Sequence, residues 1–106
     1  MILFYIPCPD KNSAQNIART LLEEKLVGCA NIIPGMESMY WWEGKLETSS
    51  EHILILKALN TPDAQSRITK RVEELHPYEV PCVMTLPVLG INPAFKNWLE
   101  ESQRWP

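Results

Sequence analysis

The sequence lacks the features that would direct a protein to nucleic acid or into a membrane. Ten lysines and arginines are outnumbered by 13 aspartates and glutamates, so the net charge is −3. No basic run is present, whereas proteins that bind nucleic acids or anionic lipids present a positively charged patch. No apolar stretch approaches the roughly 20 residues that cross a bilayer. We therefore expect neither nucleic acid nor a membrane as a partner.

Cysteine is scarce, and its spacing matches no disulfide framework. Cys8, Cys29 and Cys82 are odd in number and scattered, without a Cys-x-x-Cys pair. Such usage is typical of a reducing compartment. The apolar N-terminus has no basic segment and no small-residue cleavage site, which favours a first strand over a signal peptide. These features predict a cytoplasmic protein.

Low-complexity segments and linkers are also absent. The chain has 106 residues, and its hydrophobic content of 45% is enough for a core without disulfides or metal ions. We expect one domain over residues 1–106, with nine prolines separating its elements.

The N-terminal part predicts a strand and a helix. Residues 2–6 are continuously apolar, which is typical of a strand buried on both faces, and Pro7-Cys8-Pro9 is expected to end it. Asp10 is a suitable N-cap for a helix that ends near Val27, with Gly28 as its C-terminal signal. The apolar residues of this helix recur at helical spacing: Ala14, Ile17, Ala18, Leu21 and Leu22.

A long β-hairpin is predicted next, with arms Cys29–Trp42 and Lys45–Ala58 around a Glu43-Gly44 turn. Pro34-Gly35 indicates a bulge or bend in the first arm. At ~3.3 Å per residue, arms of this length overhang a compact domain of this size. The hairpin is therefore expected to project from the domain.

Aromatic residues cluster near the hairpin tip. Alternation places Tyr40 and Trp42 on one face of the arm and Trp41 on the other. Exposed aromatics on a projecting hairpin indicate a partner, and a second copy of the chain is the simplest one. Packing between subunits is the more ordinary role for these side chains, and a ligand cage is the alternative.

The C-terminal half predicts a helix, an edge strand and a last short helix. Thr61 as N-cap and Pro62 at the first helical position begin the second helix, and His76-Pro77 stops it. Its buried stripe comprises Ala64, Ile68, Val72 and Leu75. Val80–Val88 is predicted as an edge strand because its prolines cannot donate to a ladder. Asn92-Pro93 begins the last helix, whose inward residues are expected to be Phe95, Trp98 and Leu99.

The resulting order is β-α-β-β-α-β followed by a helix. With right-handed crossovers, this order predicts an α+β protein of the ferredoxin-like split βαβ type. An antiparallel sheet then carries two helices on one face. Oligomerisation is the obvious way to cover the other face.

Three segments, with Asn97-Trp98-Leu99 behind them, resemble the CutA family of divalent-cation tolerance proteins. They are Gly28–Pro34 (GCANIIP), Ser38–Lys45 (SMYWWEGK) and His76–Pro81 (HPYEVP). The resemblance implies a ferredoxin-like protomer in a homotrimer and a link to copper and other divalent metals. It implies no established catalytic activity, so we expect no enzyme. The family is similar in fold to the PII signalling proteins, which makes a signalling role an analogy.

The sequence departs from the family pattern at three places. Cys82 stands after Pro81, where the family commonly has glutamate. Phe95 stands where a tyrosine is common in the last helix. Some members have a copper-associated cysteine near the end of the first strand, and Cys8 falls slightly later than that position.

Four residues are candidate metal ligands. His76 is the strongest, since neutral imidazole binds transition metals, although it is equally suited to capping a helix. Glu79 and Cys82 complete a His-x-x-Glu-x-x-Cys run that offers nitrogen, oxygen and sulfur donors, and the thiolate favours Cu(I) or Zn(II). Ideal strand geometry sends such residues to opposite faces, and Cys82 is alternatively a small buried strand residue. Cys8, expected to be accessible, is a candidate soft ligand or redox-sensitive thiol.

A pocket at the subunit interface is the second kind of site. Its expected lining is Tyr40, Trp41, Trp42, Lys57 and Tyr78, with His76 and Glu79 nearby. The alternative function is therefore a PII-like trimeric signalling module that binds a small anionic metabolite in this cleft, with metal tolerance indirect. Lys57 needs a partner if buried, and Glu51 shares its face by parity; pairing of either residue across strands or across subunits is the alternative. An acid–base role for His76 and Glu79 is the weakest hypothesis, because no nucleophile or phosphate loop accompanies them.

Overall fold

The computed structural model of the chain describes residues 1–104, which form four strands and three helices. In chain order these are β1 (Ile2–Cys8), α1 (Lys11–Glu23), β2 (Cys29–Trp42), β3 (Lys45–Ala58), α2 (Ala64–Leu75), β4 (Met84–Pro87) and α3 (Pro93–Ser102). The order confirms the predicted βαββαβ arrangement with its C-terminal helix.

The four strands form one sheet in the order β2-β3-β1-β4, and every neighbouring pair is antiparallel. Strands β1 and β3 are central and β4 lies at an edge, as predicted. Helices α1 and α2 cover one face, where the core is most fully buried. Its largest sealed side chains include Phe4, Ile6, Ile17, Leu21, Leu54, Leu56, Ile68 and Val72. The opposite face, which we call the open face, carries neither of these helices.

Strand β1 is longer than predicted and is buried on one side only. Pro7 and Cys8 remain in the strand, opposite Ile53 and His52 of β3. Burial alternates along β1, with the even-numbered residues sealed under the helices and the odd-numbered ones half-buried on the open face. The prediction of burial on both faces was wrong because helices cover only one of them.

Helix α1 begins as predicted but ends earlier. The Asp10 side chain accepts a 2.7 Å hydrogen bond from the Ser13 N–H, which confirms its capping role. The helix ends at Glu23, and Lys25 has a positive φ of 61° in the turn that follows. Gly28 is therefore not the helix terminator. It lies under α3, where an added Cβ would be 2.5 Å from Leu99 Cδ1.

Two C-terminal boundaries and the burial of α3 also differ from prediction. Helix α2 begins at Ala64, after a turn in which the Ala64 N–H donates to the Thr61 carbonyl. Strand β4 is confined to Met84–Pro87, because Pro81 lacks an N–H and residues 77–83 form a loop. In α3 only Leu99 of the three predicted inward residues is sealed, whereas Trp98 is 40% exposed.

The hairpin has the predicted arms and turn. Glu43 and Gly44 have φ values of 49° and 77°, the positive pair that a tight hairpin turn of type I′ requires. The register shifts between Ile33 and Met36, which places an irregularity at Pro34-Gly35 as predicted. All residues from 39 to 48 are exposed, and the chain measures 46 × 25 × 24 Å. The hairpin therefore projects beyond the helices.

Candidate functional site

A cleft of about 640 Å³ lies on the open face, between the hairpin and the loop that follows α2. We call it the hairpin cleft. The hairpin and β1 supply Pro7, Tyr40, Trp42, Glu47 and Glu51, and the loop supplies Pro77, Tyr78, Glu79, Val80 and Cys82. The lining thus combines aromatic rings with three carboxylates and a thiol, and it includes no lysine, arginine or histidine.

Strand register brings the hairpin residues of this lining together. Tyr40 pairs with Glu47, and Met36 pairs with Glu51 beyond the irregularity. Paired residues project to the same side of a sheet, and residues two apart along a strand share a face. Tyr40, Glu47 and Glu51 therefore all stand on the open face.

Glu51 is the most deeply placed of the three carboxylates, with only 7% of its surface exposed. Its Oε2 accepts a hydrogen bond of 2.9 Å from the Tyr78 hydroxyl. The ion pairs among residues 1–104 do not include Glu51, so its charge has no cationic partner within this part of the chain. Burial raises the pKa of Tyr78, and the hydrogen bond to Glu51 and its charge raise it further.

His76 fixes the loop that carries Tyr78. Its backbone N–H caps α2 by donating to the Val72 carbonyl at 2.8 Å. The Tyr78 N–H donates to Nδ1 at 3.0 Å, so Nδ1 is the unprotonated nitrogen and Nε2–H donates to the Pro7 carbonyl at 2.8 Å. The imidazole thereby joins the end of α2 to β1 and positions the start of the cleft wall.

This geometry bears on the prediction that His76 is a metal ligand. The side chain is 7% exposed and both ring nitrogens are hydrogen-bonded, so neither offers a free lone pair in this conformation. Ligation through Nδ1 requires release of the Tyr78 N–H. The backbone N–H of His76 caps α2, and the imidazole holds the loop against β1, so structural roles account for these polar contacts.

The prediction that Cys8 is accessible was wrong. Its side chain is fully buried, because β1 continues through Pro7 and places Cys8 on the helix-covered face. The thiol donates a weak hydrogen bond to the Ile6 carbonyl at 3.7 Å. Burial raises the pKa of Cys8 to about 11, with smaller contributions from the charges of Glu51 and Asp10. A neutral, sealed thiol is a poor metal ligand.

Glu79 and Cys82 are exposed in the wall of the hairpin cleft. Cys82 is therefore not the buried strand residue that was its alternative reading, because β4 begins only at Met84. Within residues 1–104, no three histidine, cysteine, aspartate or glutamate side chains are gathered closely enough to hold a metal ion. The His76–Glu79–Cys82 run does not converge in one protomer.

The residues predicted to line one interface pocket lie in three different places in the structure. Tyr40, Trp42 and Tyr78 line the hairpin cleft. Trp41 points to the other side of β2 and is 74% exposed. Lys57 lies near the opposite end of β3, where its ammonium group stands 5.3 Å from the centre of the Phe95 ring.

Sequence reasoning did not assign Glu47 to the site, and it considered Glu51 only as an ion-pair partner, either for Lys57 or for a residue on another strand or subunit. The available signal was the hairpin turn at Glu43-Gly44, which fixes the register of both arms. Counting back from that turn places Glu47 opposite Tyr40. The irregularity at Pro34-Gly35 lies beyond these residues and does not disturb this part of the register.

The described helices also bear on membrane insertion. None of the helices within residues 1–104 is long and apolar enough to cross a membrane.

Comparison with protein families tests the resemblance to the CutA family that the three segments indicated. The family described as CutA1 divalent ion tolerance protein matches residues 2–102. The chain belongs to this family. It is 38% identical over 104 residues to the divalent-cation tolerance protein CutA of Pyrococcus horikoshii, a match that covers 98% of this chain and 99% of that protein.

Other relatives extend the comparison. The chain is 40% identical over 103 residues to protein CutA 1, chloroplastic, of Oryza sativa, covering 97% of this chain and 57% of that protein. It therefore spans a little over half the length of that plant relative. The crystal structure of CutA1 from Ehrlichia chaffeensis matches with a TM-score of 0.88 at 32% identity, covering 96% of this chain and 94% of the other. The CutA1 structure from Pyrococcus horikoshii also matches with a TM-score of 0.88, at 38% identity and with coverage of 96% and 97%. These matches confirm the predicted fold.

Proposed function

We propose that this CutA-family chain forms a homotrimer that binds copper or another divalent metal weakly and thereby contributes to divalent-cation tolerance. The observation that carries the proposal is the chemistry of the hairpin cleft. Its lining holds Glu47, Glu51, Glu79 and Cys82 without any basic side chain, so it attracts cations. We further propose a cytoplasmic location and no catalytic activity.

Glu79 and Cys82 are the first candidates for metal contact because both are exposed on the cleft wall. The thiolate of Cys82 suits Cu(I) or Zn(II), and the carboxylate of Glu79 adds an oxygen donor. Weak binding follows from the absence of a gathered set of three ligands within residues 1–104. A neighbouring subunit is the natural source of the remaining donors.

The exposed apolar surface supports a trimer. Ile33, Tyr40, Trp42, Met84 and Leu86 are each more than 40% exposed, and strand pairing places them all on the open face. Large exposed apolar surfaces mark sites of association. In a homotrimer this face and the projecting hairpin are buried against other copies, which also encloses the hairpin cleft.

Titration of copper into the wild-type protein tests the proposal, followed by calorimetry and by absorption. We expect saturable weak binding that Cys82→Ser and Glu79→Gln each reduce several-fold. His76→Ala tests the earlier prediction for the histidine, and His52→Ala serves as the matched control. Identical isotherms for wild type, Cys82→Ser and Glu79→Gln would remove the cleft wall from the metal site.

A second candidate function is the binding of a small metabolite in the same cleft, with metal tolerance indirect. The volume of about 640 Å³ favours it, because it lies within the ordinary range for small-molecule sites. The acidic lining opposes an anionic metabolite unless a neighbouring subunit brings cations. A thermal-shift screen of metabolites against metals separates the two functions, since a true ligand raises the melting temperature with concentration.

A further inference from the structure

Glu51 presents an unbalanced charge at the base of the hairpin cleft. Glu51 is more than nine-tenths buried, with 7% of its surface exposed, yet only the Tyr78 hydroxyl donates to its carboxylate within residues 1–104. The second oxygen, Oε1, accepts no hydrogen bond from residues 1–104. A buried carboxylate is costly unless a cation or several donors satisfy it. A positively charged donor in the cleft would balance this charge.

Aromatic rings surround the same space. Tyr40, Trp42 and Tyr78 line the cleft with Glu51, and their exposed fractions are 42%, 55% and 37%. The faces of tyrosine and tryptophan rings attract organic cations, most strongly where the cation leaves water. Aromatic rings combined with carboxylates are the usual chemistry for binding an ammonium group.

At Glu51 the donors of one chain favour an organic cation, whereas the metal contact proposed at Glu79 and Cys82 takes its remaining donors from a neighbouring subunit. A metal ion requires several donors within about 2.0–2.6 Å of one point. The carboxylates of Glu47, Glu51 and Glu79 line one cleft, but no three such ligands are gathered for a metal within residues 1–104. An organic ammonium ion needs only one close carboxylate, and its carbon chain occupies the remaining volume.

We propose that the hairpin cleft binds a small organic ammonium ion. Its nitrogen donates to Oε1 of Glu51, and its carbons pack against Tyr40, Trp42 and Val80. Tyr78 holds the carboxylate in place through Oε2 and contributes its ring. This inference rests on the second candidate function, the binding of a small molecule in the cleft, and is independent of metal binding.

The test uses the full-length protein and n-butylammonium chloride as the probe. Calorimetry and tryptophan fluorescence follow binding, with 1-butanol as the neutral analogue and sodium chloride at equal ionic strength as the salt control. We expect saturable binding of butylammonium and none of butanol at the same concentration. Equal binding of both probes, or no binding of butylammonium, would overturn the proposal.

Variants assign the binding to Glu51. Glu51→Gln retains an oxygen that accepts from Tyr78 but removes the charge, and we expect a loss of affinity on the order of tenfold or more. Glu23→Gln, on the exposed surface of α1, makes the same change of net charge and should leave affinity unchanged. If both variants lose the same amount of butylammonium affinity, the loss reflects only the change in net charge, which would contradict the proposal.

Trp42→Leu supplies a second variant should Glu51→Gln fail to fold. It keeps apolar bulk on the exposed arm and removes the ring face, so several-fold weaker binding of butylammonium is expected. Undiminished binding would contradict a role for the ring. If a lysine of a second copy neutralises Glu51, wild type will not bind the probe and Glu51→Gln will weaken assembly, which also overturns the proposal.

Cys82→Ser keeps this test separate from metal binding. The substitution should reduce copper binding while leaving butylammonium binding intact, because the thiol has no part in the ammonium site. If the wild-type protein binds butylammonium but not copper, the proposed metal function is refuted and the ammonium site stands. The reverse outcome would refute the ammonium site alone.

Discussion

The hydroxyl of Tyr78 donates a 2.9 Å hydrogen bond to Oε2 of Glu51, which joins the loop after α2 to the base of the hairpin. This bond is the only one that the carboxylate accepts within residues 1–104. Removing the hydroxyl leaves a buried charge without a donor. Such a loss costs about 1–3 kcal/mol.

Tyr78→Phe is therefore expected to lower the free energy of unfolding by about 1–3 kcal/mol. Glu51→Gln in the same background should recover part of that loss, because the double variant no longer buries a charge. Urea unfolding of the two single variants and the double variant measures the coupling between the residues. Strictly additive changes would show that the two side chains do not interact as described.

Stability should fall at alkaline pH because of Cys8. Burial raises the pKa of Cys8 from 9.0 to about 11 in the folded protein, whereas the unfolded thiol titrates near its ordinary value. The folded state therefore keeps a proton that the unfolded state loses between these values. Its contribution to stability is complete below pH 9 and disappears as the pH rises through about 11, at up to roughly 1.4 kcal/mol per pH unit.

Urea unfolding at pH 8.5 and 10.5 checks this dependence in wild type and Cys8→Ala. The variant is expected to be less stable at both values, since it removes a buried side chain, but to lose less stability between them. Tyr78, whose pKa is also raised, is present in both proteins, and the charge of Cys8 is only the smallest cause of the rise in its pKa. Parallel losses in the two proteins would exclude Cys8 as the titrating group.

The contact between Gly28 and α3 predicts a position where an added side chain crowds the helix. A Cβ there would lie 2.5 Å from Leu99 Cδ1 and 2.8 Å from Ser102 Oγ. Gly28→Ala should cost about 1–3 kcal/mol through overpacking. Gly90→Ala is the matched control, because no atom lies within 4 Å of its added Cβ, and it should change stability by less than about 0.5 kcal/mol. Thermal unfolding of both variants decides the matter, and equal melting temperatures would contradict the packing.

The hairpin tip is expected to hold the proposed trimer together. Trp41 and Trp42 are 74% and 55% exposed on opposite faces of β2. The double variant Trp41→Ala with Trp42→Ala should shift dissociation to higher protein concentration in sedimentation velocity. Leu89→Ala removes another exposed apolar side chain outside the hairpin and should have a smaller effect. If the double variant forms trimers of unchanged stability, the hairpin tip does not hold the subunits together.

Local signals predicted the elements of this fold well. The Asp10 N-cap, the Glu43-Gly44 turn and the buried stripe of α2 each depend on neighbouring residues, and each appears in the structure. The predictions were wrong where contacts between residues distant in sequence determine the local structure. Gly28 follows α1 in sequence, but its small size is needed by α3, which is formed by residues far along the chain.

The candidate site was harder to predict for the same reason. His76 looks like a metal ligand in sequence, but its partners, the Pro7 carbonyl and the Tyr78 N–H, appear only once β1 and the loop are assembled. The accessibility of Cys8 depends on where β1 ends. Because the strand continues through Pro7 and Cys8, the Cys8 side chain lies on the helix-covered face. Glu51 belongs to the site because the loop after α2 places Tyr78 against it, and the sequence does not show this contact.

A crystal of the protein soaked with copper tests the central claim most directly. We predict an anomalous difference peak in each hairpin cleft, beside Cys82 and Glu79, and no peak at the buried Cys8. The same soak of Cys82→Ser should weaken or abolish the peak. A peak at His52 or elsewhere on the surface, with empty clefts, would contradict the proposal that the acidic cleft is the cation site of this CutA protein.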